Sequence, residues 1–417
     1  MSAAAPTIDF ENDAFAREVP YAMFDWLRHN DPVRWYDWPH GKGYWAVTRH
    51  DDLVAIHKDT ATYSSETGAT ALEDLAPDAI EARKSMIDTD PPRHTRLRGL
   101  VNREFTPRAV MAYEQLLREL TRTILDAALP LGEFDFVEQV AAPLPIQVLC
   151  RILGVPPEDN RLLIDWGDRM IGSTDPAISD MSYEHPGSDA YRLLPFRSPA
   201  AVELWEYGHR IAERRRAEPT DDIVSKLVHA EIDGERLTPR EFDVMFLLLV
   251  VAGNETTRQA IAHGLQAFID HPDQLERLRA DPALMGTAVD EIIRWATPVL
   301  HFRRTATRDL DLRGRHIRQG DKVVTWYISA NRDELVFEDP YTFDVGRRPN
   351  EHVSFGRGGP HFCLGAHLAK LEVKVMYEEL IPRLRAVEPA GPAERIRTNF
   401  TNAFRTMPVR VTARMKG

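Results

Sequence analysis

The sequence predicts a mainly helical chain with small β-sheets, an α+β class, with all of residues 1–417 in one unit. Three observations point there. Between Ala109 and Ala296 one helical segment follows another, several of them opened by a Pro or Thr start signal. Short aromatic and β-branched runs lie on either side of that block. Neither an internal repeat nor a linker rich in Gly, Pro or Ser divides the chain, although its length exceeds the roughly 250–300 residues of an ordinary single core.

In order along the chain, Met23, Trp26 and Leu27 recur at helical spacing. Val33–Tyr36 and Tyr44–Val47 then read as a strand pair around the turn-rich Pro39-His40-Gly41-Lys42-Gly43. Asp51–His57 reads as a helix capped by Asp51 or Asp52. Residues 63–87 read as a long loop with short helical pieces, and Pro91-Pro92 starts a helix through Arg103. Helices are predicted over Ala109–Ala128, Pro143–Leu153, Pro157–Ile171, Pro199–Ala217, Asp221–His229, Thr238–Asp270 and from Pro272 to the Glu291 region. Ser173–Arg197 interrupts them as a loop with the character of a lid. After Trp295, Leu310–Leu312, Arg315–Ile317 and Val323–Tyr327 read as short strands, 331–361 as an irregular loop and Leu364–Leu384 as a final helix.

Composition excludes several functions. With 43% hydrophobic and 28% charged residues the chain is an ordinary globular one. A net charge of −12 argues against nucleic acid or an anionic membrane as a whole-surface partner. The apolar run Val244–Ala252 is too short for the ~18–20 residues of a membrane span and suits a helix buried all round. Met1–Glu11 lacks the pattern of a secretory signal, and the two cysteines, Cys150 and Cys363, cannot build a disulfide scaffold, so a cytoplasmic protein is expected.

The cysteines differ in setting. Cys150 ends the apolar stretch Ile146-Gln147-Val148-Leu149 and reads as core, the ordinary fate of a free cysteine. Cys363 closes Ser354-Phe355-Gly356-Arg357-Gly358-Gly359-Pro360-His361-Phe362 and is followed by Leu364-Gly365, where a glycine-rich loop enters a helix. Backbone N–H groups there are expected to lower the thiol pKa. No Cys-x-x-Cys, His-Glu-x-x-His or Cys-x-x-Cys-His is present, so neither a zinc site nor covalent haem attachment fits. A lone thiolate suits single axial ligation of non-covalent haem iron.

Phe355-Gly356-x-Gly358 leading to His361-x-Cys363-x-Gly365 resembles the haem-binding loop of the cytochrome P450 superfamily. The resemblance extends over nearly the whole chain and implies the P450-type haem-thiolate fold, with haem b as cofactor and Cys363 as axial ligand. Phe355 lies one residue further from the cysteine than in the commonest motif. That longer loop resembles the branch oxidising sterol side chains and methyl-branched lipids, where glycine usually stands at the position of Arg357.

Other landmarks follow. Ala252-Gly253-Asn254-Glu255-Thr256-Thr257 lies within the buried helix, where a carboxylate is costly unless paired or open to a cavity. The resemblance makes Glu255 and Thr256 the acid–alcohol pair that delivers protons to bound oxygen, and Ala252 and Gly253 the small residues over the iron. Glu291 and Arg294 share a helix face, a spacing repeated at Glu119/Arg122, Glu213/Arg216 and Glu276/Arg279 and uninformative alone. Before Trp295-Ala296-Thr297-Pro298 it resembles the structural Glu-x-x-Arg element, with Arg347 as third partner. His94 and Arg98 lie four apart in a segment, Arg93–Arg108, holding five arginines against one acid, Glu104. The resemblance places propionate contacts at His94, Arg98, Arg304 and His361, with Arg304 preferred to Arg303, and puts Phe355 and Gly365 against the cofactor.

The implied activity is a haem-thiolate monooxygenase, an oxidoreductase inserting one atom of O2 into a C–H bond. By resemblance the substrate cavity is lined from Thr67–Ile87, the Ser173–Arg197 lid, Leu248–Ala252, Val299–Phe302 and Thr401–Phe404, with Leu248, Ala252, Val299, Leu300, Phe302, Ala403 and Phe404 singled out. An apolar steroid, sterol side chain or branched lipid is expected, with a terpenoid or polyketide intermediate as the alternative. A peroxygenase commonly lacks the acid–alcohol pair, and a non-enzymatic haem-thiolate sensor or ligand carrier has no need of one. No dinucleotide Gly-x-Gly-x-x-Gly or iron–sulfur cysteine cluster is present, so electrons are expected from a ferredoxin and an NAD(P)H-dependent ferredoxin reductase. Arg96, Arg103, Arg108, Arg348 and Arg357 are the expected docking face on a monomer.

Overall fold

The structure, a computed structural model, describes residues 6–172, 174–179, 181–232 and 234–414. Of the predicted lid, Ser173 and Asp180 lie outside the described residues.

The core is built on one long helix, Pro239–Asp270. Thr238 caps it: its hydroxyl accepts from the Glu241 N–H at 3.2 Å, and the Glu241 carboxylate accepts from the Thr238 N–H at 3.0 Å. Its apolar run is buried on nearly every side, because Pro143–Leu153, Asn160–Ile171, Ala200–Ala217, Met285–Ala296 and Ala366–Leu380 all pack around it. Burial of this kind, rather than amphipathic patterning, is what a helix apolar all round requires.

A five-stranded sheet flanks the helices in the order Val33–Tyr36, Tyr44–Val47, Lys322–Trp326, His301–Ala306, Tyr63–Ser64. The first pair was legible from its alternation. Its partner Lys322–Trp326 runs parallel to Tyr44–Val47, with Val323 opposite Trp45. His301–Ala306 was not predicted, because Arg303 and Arg304 interrupt its apolar pattern. Both are buried, and Arg303 Nη1 donates to the Ala71 and Glu73 carbonyls at 3.0 and 2.9 Å. A second sheet, Leu384–Pro389, Pro408–Ala413 and Glu133–Asp135, joins segments remote in sequence and was likewise unpredicted.

Several predicted bounds change. The helix at residue 50 runs His50–Lys58, and neither aspartate caps it; Asp52 is ion-paired with Arg313 instead. The helix beginning after Pro92 ends at Val101 and tightens to a 3₁₀ turn through Phe105. Ala109–Ala128 divides into Pro107–Met111 and Glu114–Ala128. The segment after Pro272 breaks at Asp281-Pro282, where proline cannot continue the hydrogen-bond ladder. Among the described residues no helix is long and apolar enough to cross a membrane.

Candidate active site

The loop bearing Cys363 is anchored before it reaches the thiol. Glu291, fully buried, accepts from Arg294 at 2.8 Å and from Arg347 at 3.1 Å. Arg294 also donates to the Asn331 and Pro340 carbonyls, and Arg347 to those of Glu338 and Thr342. The two cations hold the Glu291 carboxyl below the usual range, while burial brings Arg294 down to about 10. From this knot Asn331 takes the Val353 N–H at 2.8 Å and donates to Ser354 at 2.9 Å, and Ser354 in turn donates to the Ile293 carbonyl. The loop therefore hangs from Met285–Ala296 at its entry.

Gly356 and Gly358 turn the loop through positive φ, 74° and 95°. A Cβ on Gly359 would strike the His57 carbonyl, so this turn lies against the end of His50–Lys58. Arg357 is exposed and ion-paired with Glu351. The Cys363 N–H donates to the Phe355 carbonyl at 2.8 Å, and the following helix begins at Ala366. Burial pushes the thiol up, against the smaller opposing effects of the Gly365 N–H and Arg98. The expected lowering by the helix terminus is thus outweighed by desolvation.

Cys363 opens onto a cavity of about 220 Å³ between this loop and the central helix. Its walls include Phe355, Leu364, Gly365 and Leu368 on one side and Ala252, Gly253 and Thr256 on the other. At its edge stand His94, Arg98 and His361, with the His94 and His361 rings 4.2 Å apart. Arg304 lies behind that edge, where its charge acts on His361 and Tyr327. Burial followed by Arg304, His94 and Arg98 drives His361 to about 2, and burial followed by Arg98 lowers His94. His94 Nδ1 is buried without a partner. A group of mutually repelling bases, His94 and Arg304 buried and Arg98 and His361 half-buried, calls for an anionic ligand, and with a single thiol on the adjoining wall the donor set fits haem and its two propionates. Arg303 points the other way, as strand alternation demands.

Thr256 lines this cavity and the one above it, its hydroxyl donating to the Ala252 carbonyl at 3.0 Å. Glu255 reaches neither wall. It is buried, ion-paired with Arg258, and accepts from Gln259 at 2.8 Å; Arg258 continues to Asp168. The structure does not bring the two members of the predicted acid–alcohol pair together on the cavity.

The upper cavity, about 190 Å³, meets the first at Ile87, Leu248, Ala252, Thr256, Val299 and Phe302. Of the predicted lining, Leu248, Ala252, Val299 and Phe302 are on its wall. Leu300 is not; it turns to the opposite side of its segment and packs with Phe10, Phe24 and Trp326. Ala403 and Phe404 are also buried in core. Gln259 accepts the Phe404 N–H at 2.8 Å and pins that strand behind the wall, where the Phe404 ring lies on His263. Their places are taken by Thr398–Thr401, with Phe400 approaching Phe196 of the lid. The chain around residue 400 carries no pattern that signals this register.

Two further residues escaped the sequence reading. Glu372 and Thr257 both line the lower cavity, and Glu372 is 2% exposed. A lone carboxyl within Leu371-Glu372-Val373 of a buried helix was the available signal.

The comparisons agree with this geometry. The family model described as Cytochrome P450 matches residues 203–410. The chain is 39% identical over 396 residues to a steroid C26-monooxygenase of Mycolicibacterium smegmatis, covering 93% of this chain and 89% of that protein. It is also 39% identical over 404 residues to a methyl-branched lipid omega-hydroxylase of Mycobacterium bovis, covering 94% and 91%. A solved Mycobacterium marinum cytochrome P450 in complex with pseudoionone superimposes with a TM-score of 0.87 at 38% identity, covering 98% of this chain and all of that one.

Proposed function

The chain belongs to the cytochrome P450 family and is a P450 monooxygenase, and from that premise we propose that it hydroxylates a steroid side chain or a methyl-branched lipid, using haem b held by Cys363. The observation that carries this reading is the shared cavity wall: Cys363 on one face, Thr256 on the other, and an apolar chamber continuous above Thr256.

Haem, when bound, supplies dioxygen activation and the oxidising power for C–H insertion. The protein's own residues do the rest. His94, Arg98, Arg304 and His361 would hold the propionates, and an anion there would relieve their mutual repulsion. Phe355 and Gly365, on the same wall as Cys363, would pack against the bound haem. Thr256 holds a hydroxyl proton at the junction of the two cavities, and Glu255 supplies it once its pair with Arg258 opens. Leu248, Val299, Phe302 and Phe400 exclude water and orient an apolar ligand, as a hydrophobic chamber with few polar groups does. Residues 1–417 act as one unit and as a monomer.

Electrons arrive from a ferredoxin and its NAD(P)H-dependent reductase. Arg96, Arg103, Arg108, Arg348 and Arg357 are all exposed and support a basic docking face beside the exposed Phe362. Such a face suits an acidic partner in a cytoplasmic setting.

The test is spectroscopic. The reduced carbon monoxide complex is expected to give the red-shifted Soret band of thiolate ligation. Titration with steroids carrying an alkyl side chain and with methyl-branched fatty acids is expected to shift the ferric Soret band to high spin. The likeness to the pseudoionone complex favours a linear terpenoid as the second reading, so terpenoids belong in the same screen. A shift with terpenoids alone would overturn the first.

A further inference from the structure

We propose that His301 and Thr401 form a polar station in the upper cavity that holds a hydroxyl group of the substrate, so that the protein selects an apolar alcohol over the matching ketone, hydrocarbon or carboxylic acid. The proposal rests on the monooxygenase reading and narrows its substrate class.

The two residues come from adjoining segments. Val299 is bridged to Thr401 in antiparallel sense, and the Leu300 N–H donates to the Phe400 carbonyl at 2.8 Å. His301 and Thr401 both line the upper cavity and neither lines the lower one onto which Cys363 opens. Each is 1% exposed. Both ring nitrogens of His301 and Oγ1 of Thr401 are buried without a hydrogen-bond partner. The His301 ring is instead packed edge-on to Trp326 at 4.8 Å and Phe400 at 5.6 Å, and Asn399 acts on it from outside bonding geometry. Other buried polar side chains of this chamber are taken: Asn12 by Tyr183 and Glu184, Thr174 by the Arg397 carbonyl, Asn399 by the Phe10 carbonyl. Arg83 and Arg197, the arginines on the same wall, are both paired with Glu73.

Chemistry follows from that setting. A buried polar atom left unpaired is costly, and three of them along one apolar wall find their reason in a ligand that pairs with them. Burial drives the imidazole down to about 3, against the smaller effect of Asn399. The ring is therefore neutral at working pH, with one N–H donor and one acceptor nitrogen, and the Thr401 hydroxyl both donates and accepts. An alcohol does the same and satisfies a donor and an acceptor at once. A ketone only accepts and leaves the imidazole acceptor unpaired. A carboxylate would enter without a counter-charge, because Glu73 already holds both arginines. A hydrocarbon leaves all three atoms as they are. With the hydroxyl fixed here, the carbon to be oxidised is one that reaches the junction beside Thr256.

Ferric haem-loaded wild type, His301→Phe, Thr401→Val and the double variant test this by ligand titration, with the high-spin Soret shift reading Kd. The probes are the hydroxy, keto and deoxy forms of one steroid bearing an alkyl side chain, and one methyl-branched fatty alcohol with its acid and its alkane. Wild type is expected to bind each alcohol about tenfold tighter than its hydrocarbon, with the ketone between them and the acid no tighter than the hydrocarbon. Each single variant is expected to narrow the alcohol-to-hydrocarbon ratio, and the double variant to bring it to about one with hydrocarbon binding kept. The ratio is taken within one protein, so a merely structural loss, which weakens every ligand alike, leaves it unmoved. A wild-type ratio of one, a ratio that survives in the double variant, or an acid that outbinds its alcohol overturns the proposal. If His301→Phe fails to fold, the wild-type series and Thr401→Val still decide. If terpenoids alone shift the band, the functional reading falls while a terpene alcohol against its hydrocarbon still tests the pair, and the two failures are told apart.

Discussion

Glu255 is ion-paired with Arg258 one turn further along the same helix, and so faces away from the cavity that its neighbour Thr256 lines. Both partners are buried, and Arg258 passes the interaction on to Asp168 at 29% side-chain exposure. Replacing Arg258 by Met leaves Glu255 with Gln259 as its one polar neighbour of the network. Breaking a buried pair from one side costs about 3–5 kcal/mol, and urea unfolding of Arg258→Met is expected to register a loss of that order.

Thr256→Ala removes the hydroxyl at the junction of the two cavities and nothing that holds the fold, since that hydroxyl bonds the Ala252 carbonyl within its own helix. The expected result is an unchanged Soret spectrum with electron consumption uncoupled from product. Product per NAD(P)H checks it, and unchanged coupling would count against Thr256 as a proton carrier.

Glu291→Ala strands two buried guanidiniums. Arg294 and Arg347 would keep their carbonyl acceptors but lose their shared carboxylate. A loss of about 3–5 kcal/mol is expected, together with loosening of the Cys363 loop that hangs from the same helix. Thermal unfolding measures the first. Accumulation of a blue-shifted, non-thiolate carbon monoxide complex on mild warming measures the second.

The wall around residue 400 gives a contrast between two phenylalanines. Phe400 is on the cavity; Phe404 is in the core against His263. Phe400→Ala is expected to change which ligands produce the spin shift with little loss of stability. Phe404→Ala is expected to cost about 3–5 kcal/mol and leave the ligand ranking as it was. Paired titrations and melts of the two variants separate the roles, and a changed ranking in Phe404→Ala would refute the placement.

That contrast marks the limit of what the sequence carries. The central helix was legible because its cap and apolar run are written locally, whereas Glu291 stood out from the other Glu-x-x-Arg spacings only through the string that follows it. The strand His301–Ala306 was not legible, because its two arginines donate to carbonyls of Ala71, Glu73 and Arg303 that local pattern does not reveal. Ala403 and Phe404 were expected on the lining because the family resemblance places the cavity wall at Thr401–Phe404. Their facing is set by Gln259, some 145 residues away in sequence. Glu255 matched its motif, yet its direction depends on Arg258 and on Asp168 of another helix. Long-range hydrogen bonds, not composition, decide which side of a wall a residue takes.

Glu372 also makes a prediction about stability, with a definite sign. Its ordinary value is 4.5 and the folded value about 8, so between the two the folded chain keeps a proton that the unfolded chain has released. Stability from this group is therefore full below the ordinary carboxyl range, falls as pH rises toward about 8, and levels off above. The limiting slope is about 1.4 kcal/mol per pH unit. Lys322, which burial lowers to about 8, works in the opposite direction over higher pH. Wild type must therefore be compared with Glu372→Gln, which keeps Lys322 and lacks the titration. The expected outcome is a stability difference that shifts steadily in favour of Glu372→Gln from pH about 5 to about 8 in chemical denaturation, then holds constant. A difference independent of pH would mean that Glu372 is ionised in the folded protein.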